Sequence, residues 1–203
     1  LLDALAATGC PPIDTYTFDF GPFTIAGAPG TDESPVAYCP RRTVLDKQLV
    51  DAASEAGAEV REGFAVQEVL VEGDRVVGIR GHSSGGATVT ERADVVVGAD
   101  GRNSLVARTV RPEQYHERPP ILSGYYSYWS DLPMDGRFEV YARAGRGFGA
   151  APTHDGLTLV VGGWPYAEHD EHRHDVEGTW MRALDDTPEF AERVRGATRE
   201  SRF

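Results

Sequence analysis

The stretch Asp94-Val95-Val96-Val97-Gly98-Ala99-Asp100-Gly101-Arg102-Asn103-Ser104-Leu105-Val106-Ala107-Arg108 carries the most suggestive spacing of chemistry-bearing residues in this sequence. Residues 93–99 form a nearly continuous apolar run of strand length, as expected for a strand covered on both faces in a parallel sheet. Such a strand delivers Asp100 and Gly101 to the carboxyl edge of the sheet, where open α/β sheets bind their ligands. Asp100 can accept hydrogen bonds from hydroxyls, Gly101 lets another backbone approach, and Ser104 can cap a helix whose amides point outward. That geometry suits a nucleotide cofactor. Taken alone, Asp100-Gly101 also reads as an ordinary tight turn and Arg108 as a solvated helix residue.

Three other motifs have chemical spelling without the right surroundings. Gly145-Arg146-Gly147-Phe148-Gly149-Ala150 fits a relaxed glycine-rich pattern, but it lies between two strand-like stretches and meets Pro152 instead of opening a helix, so it is rejected as a phosphate loop. Gly81-His82-Ser83-Ser84-Gly85 spells the nucleophile elbow of an α/β-hydrolase, which needs a helix after the serine; another strand follows instead, so a hairpin turn is expected. His169, His172 and His174 stand among Glu168, Asp170, Glu171 and Asp175, a ligand set with affinity for transition metals. The stretch reads as a solvated loop leading into a helix, and no metal site is assigned.

The elements that must position these residues follow from periodicity. Residues 1–9 read as the end of a helix closed by Gly9. The alternation Tyr16, Phe18, Phe20 gives a strand broken by Gly21-Pro22 before residues 23–26, and residues 27–35 form a loop. Residues 36–39 are a short extended piece. Thr43 with Asp46 three residues on resembles a capping box, and Leu45, Leu49, Ala52, Ala53 and Ala56 define the inward face of a helix over 43–56. Extended segments are expected at 58–61, 64–71, 76–80 and 87–91, forming a small antiparallel meander. Strands at 125–129, 138–143, 148–153 and 157–164 look like one antiparallel sheet. Helices at 175–185 and 188–195 follow, the second with Thr187 as cap, Pro188 in first position, and Phe190 and Val194 facing inward.

Composition narrows the function classes. The 203 residues are 40% hydrophobic and 26% charged, with a formal net charge of -12. That charge repels nucleic acid and anionic lipid, and no apolar run is long enough to span a bilayer. No signal-peptide pattern opens the chain, so a cytoplasmic location is expected, with no membrane and no nucleic-acid partner. Cys10 and Cys39 have neither redox nor zinc spacing, which fits a reducing compartment and leaves a disulfide between them open. The start at Leu1 without methionine, and the stop at Phe203, lead us to expect a portion of something longer.

Asp100, Gly101, Ser104 and Arg108, following their apolar strand, resemble the second flavin fingerprint of the FAD-dependent aromatic hydroxylases (the para-hydroxybenzoate hydroxylase-like superfamily). Arg42-Thr43-Val44-Leu45, then Ala56-Gly57-Ala58-Glu59-Val60 and Gly63-Phe64-Ala65-Val66, is similar to the family's preceding segment. The resemblance spans 41–108 and, more loosely, 120–203. It implies a mixed α/β fold: part of an FAD-binding Rossmann-like domain plus an antiparallel substrate-domain sheet with helices. The implied domains are 1–40 (substrate-side strands and loop), 41–110 (part of the FAD-binding domain) and 111–203 (substrate domain). The family's dinucleotide-binding GxGxxG and its later Gly-Asp fingerprint do not occur in these residues.

The resemblance further implies that Asp100, Gly101, Ser104 and Arg108 help hold FAD, with a part in NAD(P)H binding. Arg42 would lie beside the flavin, within reach of its phosphate or ribityl oxygens, and the Val66 backbone would sit at the adenine; an exposed arginine beside a helix cap is the other reading of Arg42. The stretch ending in Ala150-Ala151-Pro152-Thr153 resembles the substrate-domain strand that faces the flavin. Small residues at Gly149 and Ala150 leave space for a large substrate or merely permit close strand packing. Tyr126, Tyr128, Trp129, Tyr141, Gly149 and Pro152 are the candidate substrate-pocket residues. The implied activity is NAD(P)H-dependent monooxygenation of an aromatic or other small organic substrate. The Arg42 segment and residues 148–152 also resemble geranylgeranyl-reductase-like flavoproteins, which saturate isoprenoid double bonds. A non-catalytic binding module built on a flavoprotein remnant is the third reading.

Overall fold

Alternating residues of opposite character dominate the second half of the chain, and in the computed structural model, which describes residues 2–203, this alternation builds a two-faced sheet. The fold is mixed α/β, as expected. It divides into two units, one comprising Leu1–Ala52 and Pro119–Phe203, the other Ala53–Arg118.

In the first unit, α1 (Leu2–Ala6) precedes the short strands β1 (Pro12–Ile13), β2 (Thr15–Asp19), β3 (Thr24–Gly27) and β4 (Ala37–Tyr38). Helix α2 (Arg42–Glu55) begins in this unit and crosses the division. The second unit holds β5 (Phe64–Glu72), β6 (Arg75–Ser83), β7 (Thr88–Arg92) and α3 (Leu105–Val110). The chain then returns to the first unit through β8 (Leu122–Ser130), β9 (Arg137–Arg143), β10 (Arg146–Pro152), β11 (Thr158–Pro165), α4 (His169–His172), α5 (Val176–Ala183), α6 (Pro188–Gly196) and β12 (Thr198–Arg199).

Strands β12-β8-β11-β10-β9-β2-β3 form one seven-stranded sheet in that order. Its pairings are antiparallel except β2 with β9, which are parallel, so the expected purely antiparallel sheet gains one parallel ladder. The register decides which side chains share a face. Gly162 opposes Phe148 and Tyr125, and Phe148 opposes Tyr141, so these residues share the side covered by α5 and α6. There Trp129 stacks on Trp180 at 5.6 Å and Phe148 meets the Trp180 ring edge-on at 5.1 Å. Trp180, Leu184, Phe190 and Val194 are fully buried. Each such side chain removed from water contributes roughly 1.5–3 kcal/mol.

Two buried hydroxyls on this side are satisfied by backbone: Thr158 Oγ1 donates to Leu132 O at 2.6 Å, and Ser127 Oγ donates to Ser201 O at 2.7 Å. Asp175 caps α5 by accepting from Gly178 N at 2.9 Å. Thr187 occupies the cap position of α6 with Pro188 after it, but its hydroxyl donates to Leu184 O at 3.1 Å instead of capping.

A buried histidine ties the start of α2 to the turn after β10. His154 Nδ1 accepts from Arg41 N at 3.3 Å, its Nε2 is 2.8 Å from Thr8 Oγ1, and Thr153 Oγ1 donates to Cys39 O at 2.7 Å. With Nδ1 accepting, the ring carries its proton on Nε2 and donates to Thr8. The helix therefore begins one residue earlier than expected. Arg41 O accepts from Val44 N and Leu45 N at 3.0 Å, and Thr43 sits inside the first turn without capping. The expected inward face of α2 is not packed either: the helix buries no residue, and Leu49 is 46% exposed.

In the second unit, β5, β6 and β7 form an antiparallel meander, with Gly73 and Gly85 at positive φ in the two turns. Ser83 ends β6 and accepts from Gly86 N at 2.9 Å through its carbonyl, so the Ser-containing motif is a hairpin turn. Two expected strands are corrected here. Residues 58–61 join no ladder, and residues 93–99 carry no strand; Val95 and Val97 are 74% and 81% exposed. A parallel strand owes its ladder to neighbours on both sides. After Ala93 N donates to Val77 O at 3.1 Å, no described residue supplies one.

Among the described residues, no helix is long and apolar enough to cross a membrane, and no cluster of His, Cys, Asp and Glu could hold a metal ion. His172 instead packs its ring edge-on to Trp164 at 5.3 Å. Cys10 and Cys39 are both free thiols.

Candidate functional site

Asp100 and Gly101 form a tight, locally satisfied turn. Asp100 Oδ1 accepts from Ser104 Oγ at 2.5 Å, and Oδ2 accepts from Leu105 N at 2.5 Å. The Ser104 hydroxyl in turn accepts from Ala107 N at 2.9 Å, capping α3 as the sequence predicts. The hydrogen bond from Ser104 holds the Asp100 carboxyl below its ordinary pKa, assisted by the Leu105 amide and opposed by slight desolvation. Each carboxylate oxygen retains acceptor capacity beyond these bonds.

Gly101 has φ 76°, and a β-carbon there would meet nothing within 4 Å. The backbone of the turn is thus open to an approaching group, and the positive φ favours glycine. Gly98 makes a different demand: its β-carbon would lie 2.7 Å from Val106 Cβ, so the segment before the turn lies directly on α3. Arg108 donates to Asn103 O across the same loop. Val66 lies on β5 opposite Gly81, at a register shift between Val66 and Glu68 that interrupts the ladder. Arg42, at the start of α2, spends its guanidinium on Asp46 at 2.9 and 3.1 Å while remaining 81% exposed.

Beside the turn is a cavity of about 420 Å³ lined by Arg102, Arg108 and Arg111 with Asn103, Ser104 and Gln114. No carboxylate lines it. Of the arginines, only Arg102, Arg108, Arg111, Arg118 and Arg202 lack an ion pair among the described residues, and three of those five are here. In a chain of net charge -12 this is a local positive field.

The second candidate surface is the face of the seven-stranded sheet opposite the helices. By register it carries Tyr126 and Tyr128 of β8, Phe138 and Val140 of β9, Gly149 of β10, and Val161 and Gly163 of β11. A cavity of about 530 Å³ opens on it, lined among others by Leu122, Phe138, Val140, Gly149, Val161 and Gly163. Gly149 lines this cavity, and Tyr126, 54% exposed, shares the face.

Trp129 and Tyr141 belong to the helix-covered side of the sheet by register, and Tyr141 also lines the edge of this cavity. Trp129 is 5% exposed and stacked on Trp180; the Tyr141 ring stacks on Phe190 at 4.4 Å, under the helices. The Tyr141 hydroxyl donates to Glu139 Oε2 at 2.8 Å, and Arg193 Nη1 donates to the same oxygen at 2.6 Å. Burial, then the Glu139 carboxylate, pushes the Tyr141 phenol above its ordinary pKa. Pro152 closes β10 opposite Thr158, on the side shared with Phe148 and Ala150. Phe138, Val140, Val161 and Gly163 were missed by sequence reasoning. Their signal was the parity of β9 and β11 relative to Gly149, which requires the register to read.

An antiparallel β-meander followed by an Asp-Gly turn and helix, and a sheet with one open apolar face, define the class. The FAD binding domain family matches residues 26–197, and the chain belongs to it. Protein FixC of Salmonella typhi is 33% identical over 158 residues, covering 74% of this chain and 35% of its own length. The digeranylgeranylglycerophospholipid reductase of Methanocella arvoryzae is 38% identical over 73 residues, 36% of this chain and 18% of its own. The myxobacterial chondrochloren halogenase CndH, an FAD-dependent halogenase, has the same fold: TM-score 0.80, 24% identity, 97% of this chain and 47% of that one. The chain thus spans about a third of FixC and about half of the halogenase.

The turn residues fit FAD by their own chemistry. Gly101 leaves its backbone accessible, and Asp100 is an anchored, ionised acceptor beside it.

Proposed function

We propose that this protein works in an NAD(P)H-dependent FAD monooxygenase acting on an aromatic or other small organic substrate. The observation that carries this reading is the open face of the seven-stranded sheet. Its cavity is floored and walled by glycine and apolar side chains, and its two arginines are engaged elsewhere: Arg143 with Asp19 at 3.0 Å, Arg146 within 3.6 Å of Glu168. Such a face orients a substrate and excludes water. Bound FAD would supply the redox chemistry.

Asp100 and Gly101 would hold the cofactor, with Ser104 fixing the Asp100 carboxylate and Arg108 fixing the loop through Asn103. Arg42 would contact a cofactor oxygen by exchanging Asp46 for it. Val66, at the interrupted ladder of β5, would offer its backbone to the adenine. The arginines beside the fingerprint support NAD(P)H as reductant, because their cavity suits a phosphate-bearing ligand. The free cysteines are consistent with a cytoplasmic setting.

A second reading is alkene reduction, favoured by the 38% identity to the archaeal reductase over 73 residues. Oxygen uptake during NAD(P)H oxidation separates the two. Consumption of dioxygen matched by a hydroxylated product supports monooxygenation; anaerobic saturation of an isoprenoid double bond supports the reductase. A halide-dependent product would instead align the protein with the halogenases that share its fold.

A further inference from the structure

The open sheet face contains a patch without side chains. Gly147 faces Gly163 across β10 and β11, and Gly149 follows two residues on, opposite Val161. Glycine inside strands weakens them and often marks where something else approaches the backbone. Two neighbouring glycines, Gly147 on this face and Gly162 on the helix-covered one, have a structural reason. A β-carbon at Gly147 would lie 2.4 Å from Tyr141 O, and one at Gly162 would lie 2.7 Å from Trp180 Nε1. Gly163 has none: its φ is not positive, and its β-carbon would find only Ser123 O at 3.8 Å. Gly149 is intermediate, its β-carbon touching Val161 Cγ1 at 3.3 Å.

A β-branched residue at Gly163 would suit the strand better than glycine does. What the bare position provides is room. With strands ~4.8 Å apart and ~3.4 Å of rise per residue, the patch measures roughly 5 by 7 Å, the footprint of one flat ring. Leu122 and Pro165 flank it on one side, Phe138 and Val140 on the other. No unengaged charge faces it.

We propose that this slot receives a flat, uncharged ring of the substrate, lying on the peptide planes at Gly149 and Gly163, and that these two glycines determine which rings fit. The proposal rests on the reading of this face as the substrate side. It makes the ligand a planar ring system and not a flexible isoprenoid chain.

The test is calorimetric titration of the purified protein with 1-naphthol and, separately, with geranylgeraniol. Wild type, Gly163→Val, the milder Gly163→Ala, Gly27→Val and Val161→Asp are compared, each with its melting temperature. Gly27 is a control: it lies in β3, with nothing within 4 Å of a β-carbon, away from the slot. We expect 1-naphthol to bind wild type and Gly27→Val alike, and Gly163→Val to weaken it at least tenfold while melting at or above the wild-type temperature. Gly163→Ala should weaken it less, in the same direction. Unchanged naphthol affinity in both Gly163 variants, with loss in Val161→Asp, would overturn the glycine slot while leaving the substrate face intact. No effect of Val161→Asp either would overturn the substrate-face reading itself. Binding of geranylgeraniol alone would overturn the planar ligand.

Discussion

The indole of Trp180 rests directly on the backbone of Gly162: a β-carbon there would stand 2.7 Å from Nε1 and 2.9 Å from Cδ1. Its chain neighbour Gly163 points to the opposite face and meets almost nothing. Gly162→Ala should therefore overpack the core and cost about 1–3 kcal/mol, whereas Gly163→Ala should cost nothing. Paired urea melts check this contrast, and equal losses at the two positions would contradict the facing assigned to β11.

Ser104 links the fingerprint turn to α3 in both directions, donating to Asp100 and accepting from Ala107. Ser104→Ala should speed amide exchange in α3 about fivefold, equivalent to about 1 kcal/mol. Because the folded Asp100 pKa lies below its unfolded value, its contribution is present above the unfolded pKa and disappears as pH falls through the lowered folded one. A carboxyl NMR titration should show an Asp100 midpoint below the ordinary aspartate value, moving upward in Ser104→Ala.

Glu139 is 8% exposed and shares one carboxylate oxygen between Tyr141 and Arg193. Arg193→Met strands that carboxylate and should destabilise the first unit by about 2–3 kcal/mol, less than for a fully buried pair because Arg193 is partly solvated. Adding Glu139→Gln should restore part of the loss. The raised Tyr141 phenol stays protonated through the pH range in which an ordinary tyrosine, of pKa about 10, ionises. Ultraviolet titration of Tyr141→Phe should accordingly leave the midpoint region unchanged and remove only absorbance that appears at higher pH.

Burial raises both thiols, Cys10 with a further push from Cys39 and opposed by a backbone hydrogen bond from it. Both stay protonated at neutral pH. Iodoacetamide at pH 7.5 should label the native protein at least tenfold more slowly than the urea-unfolded chain, read by mass.

Local chemistry was legible in the sequence wherever neighbours in the chain decide it. The hairpin at Ser83, the Ser104 cap and the Asp100-Gly101 turn all follow from residues within a few positions. Assignment of faces was not. Trp129 and Tyr141 look like pocket aromatics by type, but only the pairing of Thr158 with Trp129 and Phe148 with Tyr141 shows that they share the side covered by helices. Residues 93–99 have the composition of a buried strand, yet a ladder needs a partner. Thr43 lost the cap because His154, more than a hundred residues away, fixes Arg41 and starts the helix there.

The central claim is that the Asp100-Gly101 turn contributes to a flavin site, and FAD titration followed by flavin absorbance and fluorescence tests it most directly. The purified protein should bind FAD, and Gly101→Val, which places a branched side chain at φ 76° on the open backbone, should weaken binding at least tenfold with Asp100→Ala following it. FAD affinity unchanged in both variants, or no FAD binding by the protein at all, would contradict the account.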